Sequence, residues 1–390
     1  MAERQPSKLH VASSNLVSRS IPPPAPDRRA ALAATAASLR SALARTVPVG
    51  PDVTAAAATL SAAYRSRDRA SSGQGHVGDP RLAAAYAAAR MPATFTSSGL
   101  AMLEAALSLP GFAPRSLLDV GTGTGAAAWA ARAVWPTIDA MVLIDREPRM
   151  IDLGRKIAAS GDPHGPLASA MWRTERVGAG PLDAADLVSA AYVLGELADE
   201  EAGAAVTALW AATRGVLVIV EPGSPAGFRR ILAARAELIE AGAVIAAPCP
   251  GQLPCPVGGS NWCHFLARVD RSPLHRRAKA ATRSWEDEPY SYVVATRLAA
   301  DPAPRAVLGR PRHGSGRVEL RICAADGQIH RPIVSRREGG AYRAARDVAW
   351  GDRIPREIAT RLPGIAVGDP TGAAAPLADD PDTDSPPSGG

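Results

Sequence analysis

Residues 115–135 read RSLLDVGTGTGAAAWAARAVW. RSLLDV is a short apolar run, GTGTG breaks it at once, and AAAWAARAVW resumes with helical periodicity. A strand that enters a helix through a glycine loop points backbone N–H groups at a ligand above the strand end. Gly121, Gly123 and Gly125 let the chain turn tightly and approach that ligand without Cβ interference. The glycines alone also fit a dinucleotide fingerprint, so they do not separate one nucleoside cofactor from another. Two carboxylates narrow the choice. Asp119, two residues before Gly121, is close enough to accept from a ligand amine or an ordered water. Asp145 ends the next apolar run, AMVLID, where it can accept from both hydroxyls of a ribose.

Outward from this loop the chain alternates. REPRMIDLGRKIAAS reads as a helix, AMWRTERV and ADLVSAAYVL as strands, and DEEAGAAVTALWAAT as a helix. GVLVIVEPG is a further strand, SPAGFRRILAARAELIEAG a helix, and AVIAAP and SYVVATRL close the series. Such alternation predicts an α/β fold with a doubly wound, covered sheet. The expected organisation is an N-terminal arm (1–28) without order, a helical region (29–111) and a nucleoside-binding domain (112–248). A cysteine insertion with a closing strand (249–303), a basic β-rich appendage (304–365) and a tail without order (366–390) follow.

The acidic residue before G-x-G-x-G resembles the first motif of class I S-adenosylmethionine-dependent methyltransferases, over roughly 112–245. That resemblance implies a Rossmann-like domain binding S-adenosylmethionine through Asp119, Gly121, Gly123, Gly125 and Asp145. A nicotinamide or flavin site and a purely structural turn are the alternatives. Amino-group methyltransferases usually carry an Asn/Asp-Pro-Pro-aromatic turn after the fourth strand, and here the stretch is SAAYVLGEL. Tyr192 and Glu196 fall near that place, but a Glu opening a helix more often serves as a cap or dipole partner. No cysteine in this region supplies a nucleophile for pyrimidine methylation. The catalytic residue is therefore unassigned.

Four cysteines, 249, 255, 263 and 323, are separated by five, seven and fifty-nine residues. Four thiolates complete a ligand set for zinc or an iron–sulfur cluster. Zinc knuckles pair cysteines two to four residues apart, and none of these pairs does. Wider spacing with Cys-Pro steps suits a cubane better, because its ligands must reach separate irons. From spacing alone iron–sulfur, zinc and unliganded thiols all stand.

Lys and Arg exceed Asp and Glu by six, but the excess is uneven. Residues 264–363 hold twenty Lys/Arg against eleven Asp/Glu. Arg268, Arg271, Arg276, Arg277, Lys279 and Arg283 crowd one stretch, and Arg310, Arg312 and Arg317 follow. Such a field fits a polyanion such as RNA, with Trp262 and Trp285 available to stack on unpaired bases. A solvated arginine-rich surface is the bland alternative. The opening residues lack the apolar core of a signal peptide, and no apolar run is long enough to span a membrane. A cytoplasmic protein with reduced thiols is expected, acting on neither membrane nor DNA.

EPGSPAGFRRI, APCP…CP, NWCHF, HRRAK and EDEPYSYV occur in the order seen in one methyltransferase-like family. Bacteria and mitochondria share that family, which is named for a mitochondrial small-subunit ribosomal protein. AYRSRD, YAAARMPATF and RDVAWGD extend the resemblance to about 60–355. It implies small-ribosomal-subunit assembly, rRNA contact and a [4Fe–4S] cluster on Cys249, Cys255, Cys263 and Cys323. Gly251 stands where that family often has His, which weakens any histidine role there and leaves the four thiols intact. A non-catalytic assembly factor and a small-molecule methyltransferase with structural zinc are the rival expectations.

Overall fold

Strand β1 (Ser116–Val120) lies at the centre of an eight-stranded sheet, flanked by β2 (Ala140–Asp145) and β4 (Ala185–Ala191). Its alternate side chains feed opposite cores: Leu117 packs into one apolar cluster and Leu118 and Val120 into the other. A strand covered on both faces has no solvated side, which is why LLDV is apolar apart from the buried Asp119. The computed structural model describes residues 25–48, 50–65, 79–249, 251–300 and 306–359. The expected N-terminal arm (nearly all of it), the second half of the AYRSRD motif and the C-terminal tail lie outside these residues.

β3 (Met171–Thr174), β2, β1, β4 and β5 (Thr213–Pro222) run parallel in that order. β8 (Trp285–Thr296) joins β5 antiparallel, and β6 (Val244–Ala247) closes the order beyond it. Helices α1 (Ala25–Thr46), α4 (Met91–Ser108), α5 (Ala126–Val134) and α6 (Pro148–Gly161) cover one face. Helices α7 (Asp199–Ala212) and α8 (Pro225–Glu240) cover the other. The result is an α/β doubly wound, Rossmann-like sheet. α2 (Pro51–Arg65) and α3 (Pro80–Ala89) complete the helices that precede the sheet.

One strand is new to the sequence reading. β7 (Phe265–Asp270) pairs with the first half of β8, end to end with β6 along the same edge. Residues 249–263 therefore connect two strands of the main sheet. α9 (Pro273–Ala278) caps the β7–β8 turn.

The C-terminal part holds two small three-stranded sheets: β10 (Arg312–Gly314), β11 (Arg317–Glu319) and β14 (Ile333–Ser335), then β9 (Ala306–Val307), β12 (Ile322–Cys323) and β13 (Ile329–His330). YRAARD forms helix α10 (Gly340–Asp347) and packs on them, and α11 (Arg356–Ala359) follows. This part has its own apolar core around Val318, Leu320, Ile322 and Val334.

Candidate functional site

Strand order reverses between β1 and β4, and ligands of open α/β sheets bind at the carboxyl ends of strands beside such a switch point. The glycine loop lies there. Gly121, Gly123 and Gly125 take φ of 67°, 55° and 89°. A Cβ at Gly121 would fall 2.2 Å from Val193 Cγ2, and one at Gly125 would fall 2.9 Å from Trp172 Cη2. Both positions therefore demand glycine on backbone and packing grounds.

Asp119 is 1% exposed, and both its oxygens are engaged. The Thr122 hydroxyl donates to Oδ2 at 2.6 Å and the Ser189 hydroxyl to Oδ1 at 2.6 Å. Burial pushes its pKa up to about 6, against these two hydrogen bonds. Asp119 thus braces the loop from below. Asp145 Oδ2 accepts from the Gly123 N–H at 2.7 Å and Oδ1 from the Glu147 N–H at 2.9 Å. Each carboxylate oxygen has a second lone pair, so acceptor capacity remains for a ribose. Ser189 was missed in the sequence; its signal was a lone hydroxyl inside the apolar strand ADLVSAA.

Tyr192 follows β4 with φ of 62°, a left-handed conformation that a non-glycine residue adopts at a cost. Its hydroxyl is 3.0 Å from Ser97 Oγ, and burial holds its pKa well above the ordinary value. The Arg90 guanidinium lies 5.9 Å from the Tyr192 ring centroid and pairs bidentately with Glu288 at 3.1 and 2.7 Å. Glu196 does not cap α7. It ends a short 3-10 turn, half exposed, 3.4 Å from Arg146 Nη2, while Glu201 accepts from the Ala198 N–H at 3.2 Å.

The second site is the thiol cavity. Cys249, Cys255 and Cys263 come from the β6–β7 connection and Cys323 from β12, and all four line one cavity of about 30 Å³. Burial raises every thiol pKa, Cys323 to about 12. Cys263 is raised further by Cys249, Cys255 and Cys323, so the four groups lie within electrostatic reach of one another. Arg235, 6% exposed, donates from Nη2 to the carbonyls of Gly251 (3.0 Å) and Leu253 (2.7 Å). Its charge favours the Cys249 thiolate, and its buried Nε has no acceptor among the described residues. Ser291 Oγ donates to the Cys263 carbonyl at 2.7 Å, and the Trp262 indole N–H to the Gly223 carbonyl at 2.9 Å. Among the described residues, no three His, Cys, Asp or Glu side chains are arranged to hold a metal ion.

Residues 80–355 match the family model described as mitochondrial small ribosomal subunit Rsm22. The chain belongs to the Rsm22 family. A human relative, "Ribosome assembly protein METTL17, mitochondrial", is 30% identical over 311 residues, 74% of this chain and 66% of its own. An Rsm22-cox11 tandem protein of Schizosaccharomyces pombe, also mitochondrial, is 28% identical over 62% of this chain and 38% of its own. This Rsm22-family chain thus spans less than two thirds of these relatives. Their mitochondrial descriptions overturn the cytoplasmic expectation and point to a mitochondrial location. An apolar core marks secretory leaders alone, so the composition of residues 1–20 does not separate the cytoplasm from the mitochondrion. Among solved structures, the magnesium protoporphyrin IX methyltransferase of Synechocystis with bound SAM is 15% identical, with a TM-score of 0.35 over 64% of this chain and 99% of its own. A SAM-dependent methyltransferase of Aquifex aeolicus is 14% identical, with a TM-score of 0.36 over 56% and 99%.

The arginines of this Rsm22-family chain divide into two groups. Arg271 and Lys279 turn inward onto Glu286, each at 2.6 Å, with His275 Nε2 3.1 Å away. Arg268 pairs with Asp287 and covers the Trp285 ring at 3.9 Å. These three cations, and the Trp285 face under Arg268, are occupied within the fold. Arg277, Arg283, Arg310 and Arg312 are exposed and Arg276 is half-buried. No helix among the described residues is long and apolar enough to cross a membrane.

Proposed function

We propose that this chain binds S-adenosylmethionine at the glycine loop, carries a [4Fe–4S] cluster on its four cysteines, and acts on the small ribosomal subunit and its rRNA. Convergence of four thiols from distant segments on one cavity carries the reading. A cubane takes one thiolate per iron, so its ligands stand farther apart than the four around a zinc ion. Arg235 fits the same group: a buried cation with an unused N–H suits the negative charge that four thiolates give a cluster. Bound there, the cluster would cross-link the β6–β7 connection to β12.

At the glycine loop, Asp145 would hold the ribose and Gly121, Gly123 and Gly125 would admit the cofactor to the strand end. S-adenosylmethionine supplies an electrophilic methyl group. The chain's part would be to hold an RNA nucleophile in line with it, a matter of positioning. RNA contact is assigned to the outward cations Arg276, Arg277, Arg283, Arg310 and Arg312. Arg268, Arg271 and Lys279 support the shape of that face.

A second reading keeps the fold, cofactor and partner but omits methyl transfer. It is favoured by SAAYVLGEL, where the amino-methyltransferase turn is replaced by a Tyr192 held between Ser97 and the Arg90–Glu288 pair. Iron and acid-labile sulfide analysis of anaerobically purified protein tests the cluster, and a colourless protein holding one zinc would refute it. Mass mapping of small-subunit rRNA from a strain lacking the gene separates the two readings. A missing methyl mark supports transfer; a complete set of marks with stalled subunits supports assembly alone.

A further inference from the structure

A cleft of about 300 Å³ opens between the cysteine connection and the C-terminal sheets, distinct from the glycine loop. That volume lies at the small end of ligand pockets, roughly 300–1,000 Å³. One wall is aromatic. Trp262 and His264 stack at 5.3 Å with a 20° interplanar angle, and Trp350 meets His264 edge-on at 4.7 Å. Trp262 is oriented by its hydrogen bond to Gly223, so this wall is fixed to the end of β5. The rest of the lining is cationic: Arg310, Arg312, Arg321 and Arg331 line the cleft with one acid, Glu319. Arg310 is exposed and forms no ion pair among the described residues.

We propose that this cleft seats one unpaired nucleotide of a single-stranded RNA, its base against the Trp262–His264–Trp350 wall and its phosphate toward Arg310. The proposal rests on the RNA-binding reading above and gives it a location. An aromatic wall stacks any base face, whereas the cations lining the rest of the cleft select the phosphate. A paired base inside a duplex presents no free face to such a wall. Cys263 lines both this cleft and the thiol cavity, so an occupant would lie against the segment that holds the cluster.

The test uses the full chain with its iron content intact and a short single-stranded oligoribonucleotide carrying one 4-thiouridine. Photo-crosslinks are expected at Trp262, His264 or Trp350. Trp350→Ala should weaken binding of that oligonucleotide about ten-fold, the size of one lost base stack, with Trp350→Phe near wild type and duplex RNA unaffected. Because Trp350 packs against the core, Arg310→Glu at an exposed position provides a second variant, with the same selective loss expected. Crosslinks confined to residues 268–283, with both variants binding normally, would overturn the seat while leaving the RNA reading in place. Absence of binding to any RNA would remove both.

Discussion

Arg353 and Glu104, 249 residues apart, join the C-terminal sheets to helix α4. The guanidinium donates to Glu104 Oε2 at 2.9 Å, to the Glu104 carbonyl at 3.0 Å and to Ser108 Oγ at 2.8 Å. The sheets that carry Cys323 are therefore fastened by a route independent of the thiols. Replacing Arg353 by Ala should cost about 1.5–3 kcal/mol, the range for hydrogen bonds to a charged group. Hydrogen exchange should quicken across 306–359 while the glycine loop stays protected. Unchanged protection would show that the fastening contributes nothing.

Asp145 ties the glycine loop to β2 through Oδ2, which accepts from the Gly123 N–H, while Oδ1 accepts from the Glu147 N–H. Asp145→Asn keeps the shape but loses one acceptor and the charge. Titration calorimetry with S-adenosylhomocysteine should show roughly ten- to a hundred-fold weaker binding, as expected when a charge-assisted hydrogen bond is lost. Equal affinity would remove Asp145 from the site.

Glu221 is 0% exposed at the end of β5, and burial pushes its pKa up to about 7, with Arg230 and the Gly195 and Leu194 N–H groups pulling it down only part-way. A folded value raised above the ordinary 4.5 means that its contribution to stability is complete below that value and is lost as pH climbs through about 7. Glu221→Gln should match wild type near about pH 5 and exceed it near about pH 8, by at most about 3 kcal/mol. A variant melting lower at both pH values would show that the Arg230 pair outweighs the burial cost.

The parallel strands and the glycine loop were legible because apolar runs, glycines and carboxylates are local signals. β7 was not. Phe265, Ala267 and Val269 point inward while Arg268 and Asp270 point out, a regular alternation hidden inside what reads as a charge run. Residue counting also cannot tell an occupied cation from a free one. Arg271 and Lys279 look like RNA contacts in sequence, but Glu286 reaches them only because β8 folds back beside β7. The same holds at the loop: Asp119 reads as a ligand contact, whereas Ser189, seventy residues on, takes one of its oxygens.

Each thiol should be needed for metal retention. Cys323→Ser removes the one proposed ligand from outside the β6–β7 connection, so iron and sulfide should fall while S-adenosylhomocysteine binding at the glycine loop is unchanged. Retention of full iron in this variant would exclude Cys323 from the ligand set.

The division among the cations yields a paired experiment. Glu286 is half-buried against Arg271, His275 and Lys279; partial burial opposes its ionisation, but these partners win and hold its pKa far below the ordinary value. Its stabilising effect is thus complete above pH 4.5 and is lost as pH falls below it. Arg271→Ala leaves part of that carboxylate uncompensated and should cost about 3 kcal/mol, read as a lower melting temperature. Arg277→Glu, on the exposed end of α9, should leave melting unchanged within about 0.5 kcal/mol. It should instead weaken small-subunit RNA binding and lower the slope of affinity against salt by about 1 or more. If Arg271→Ala altered RNA affinity without lowering stability, the two groups would have been assigned the wrong way round.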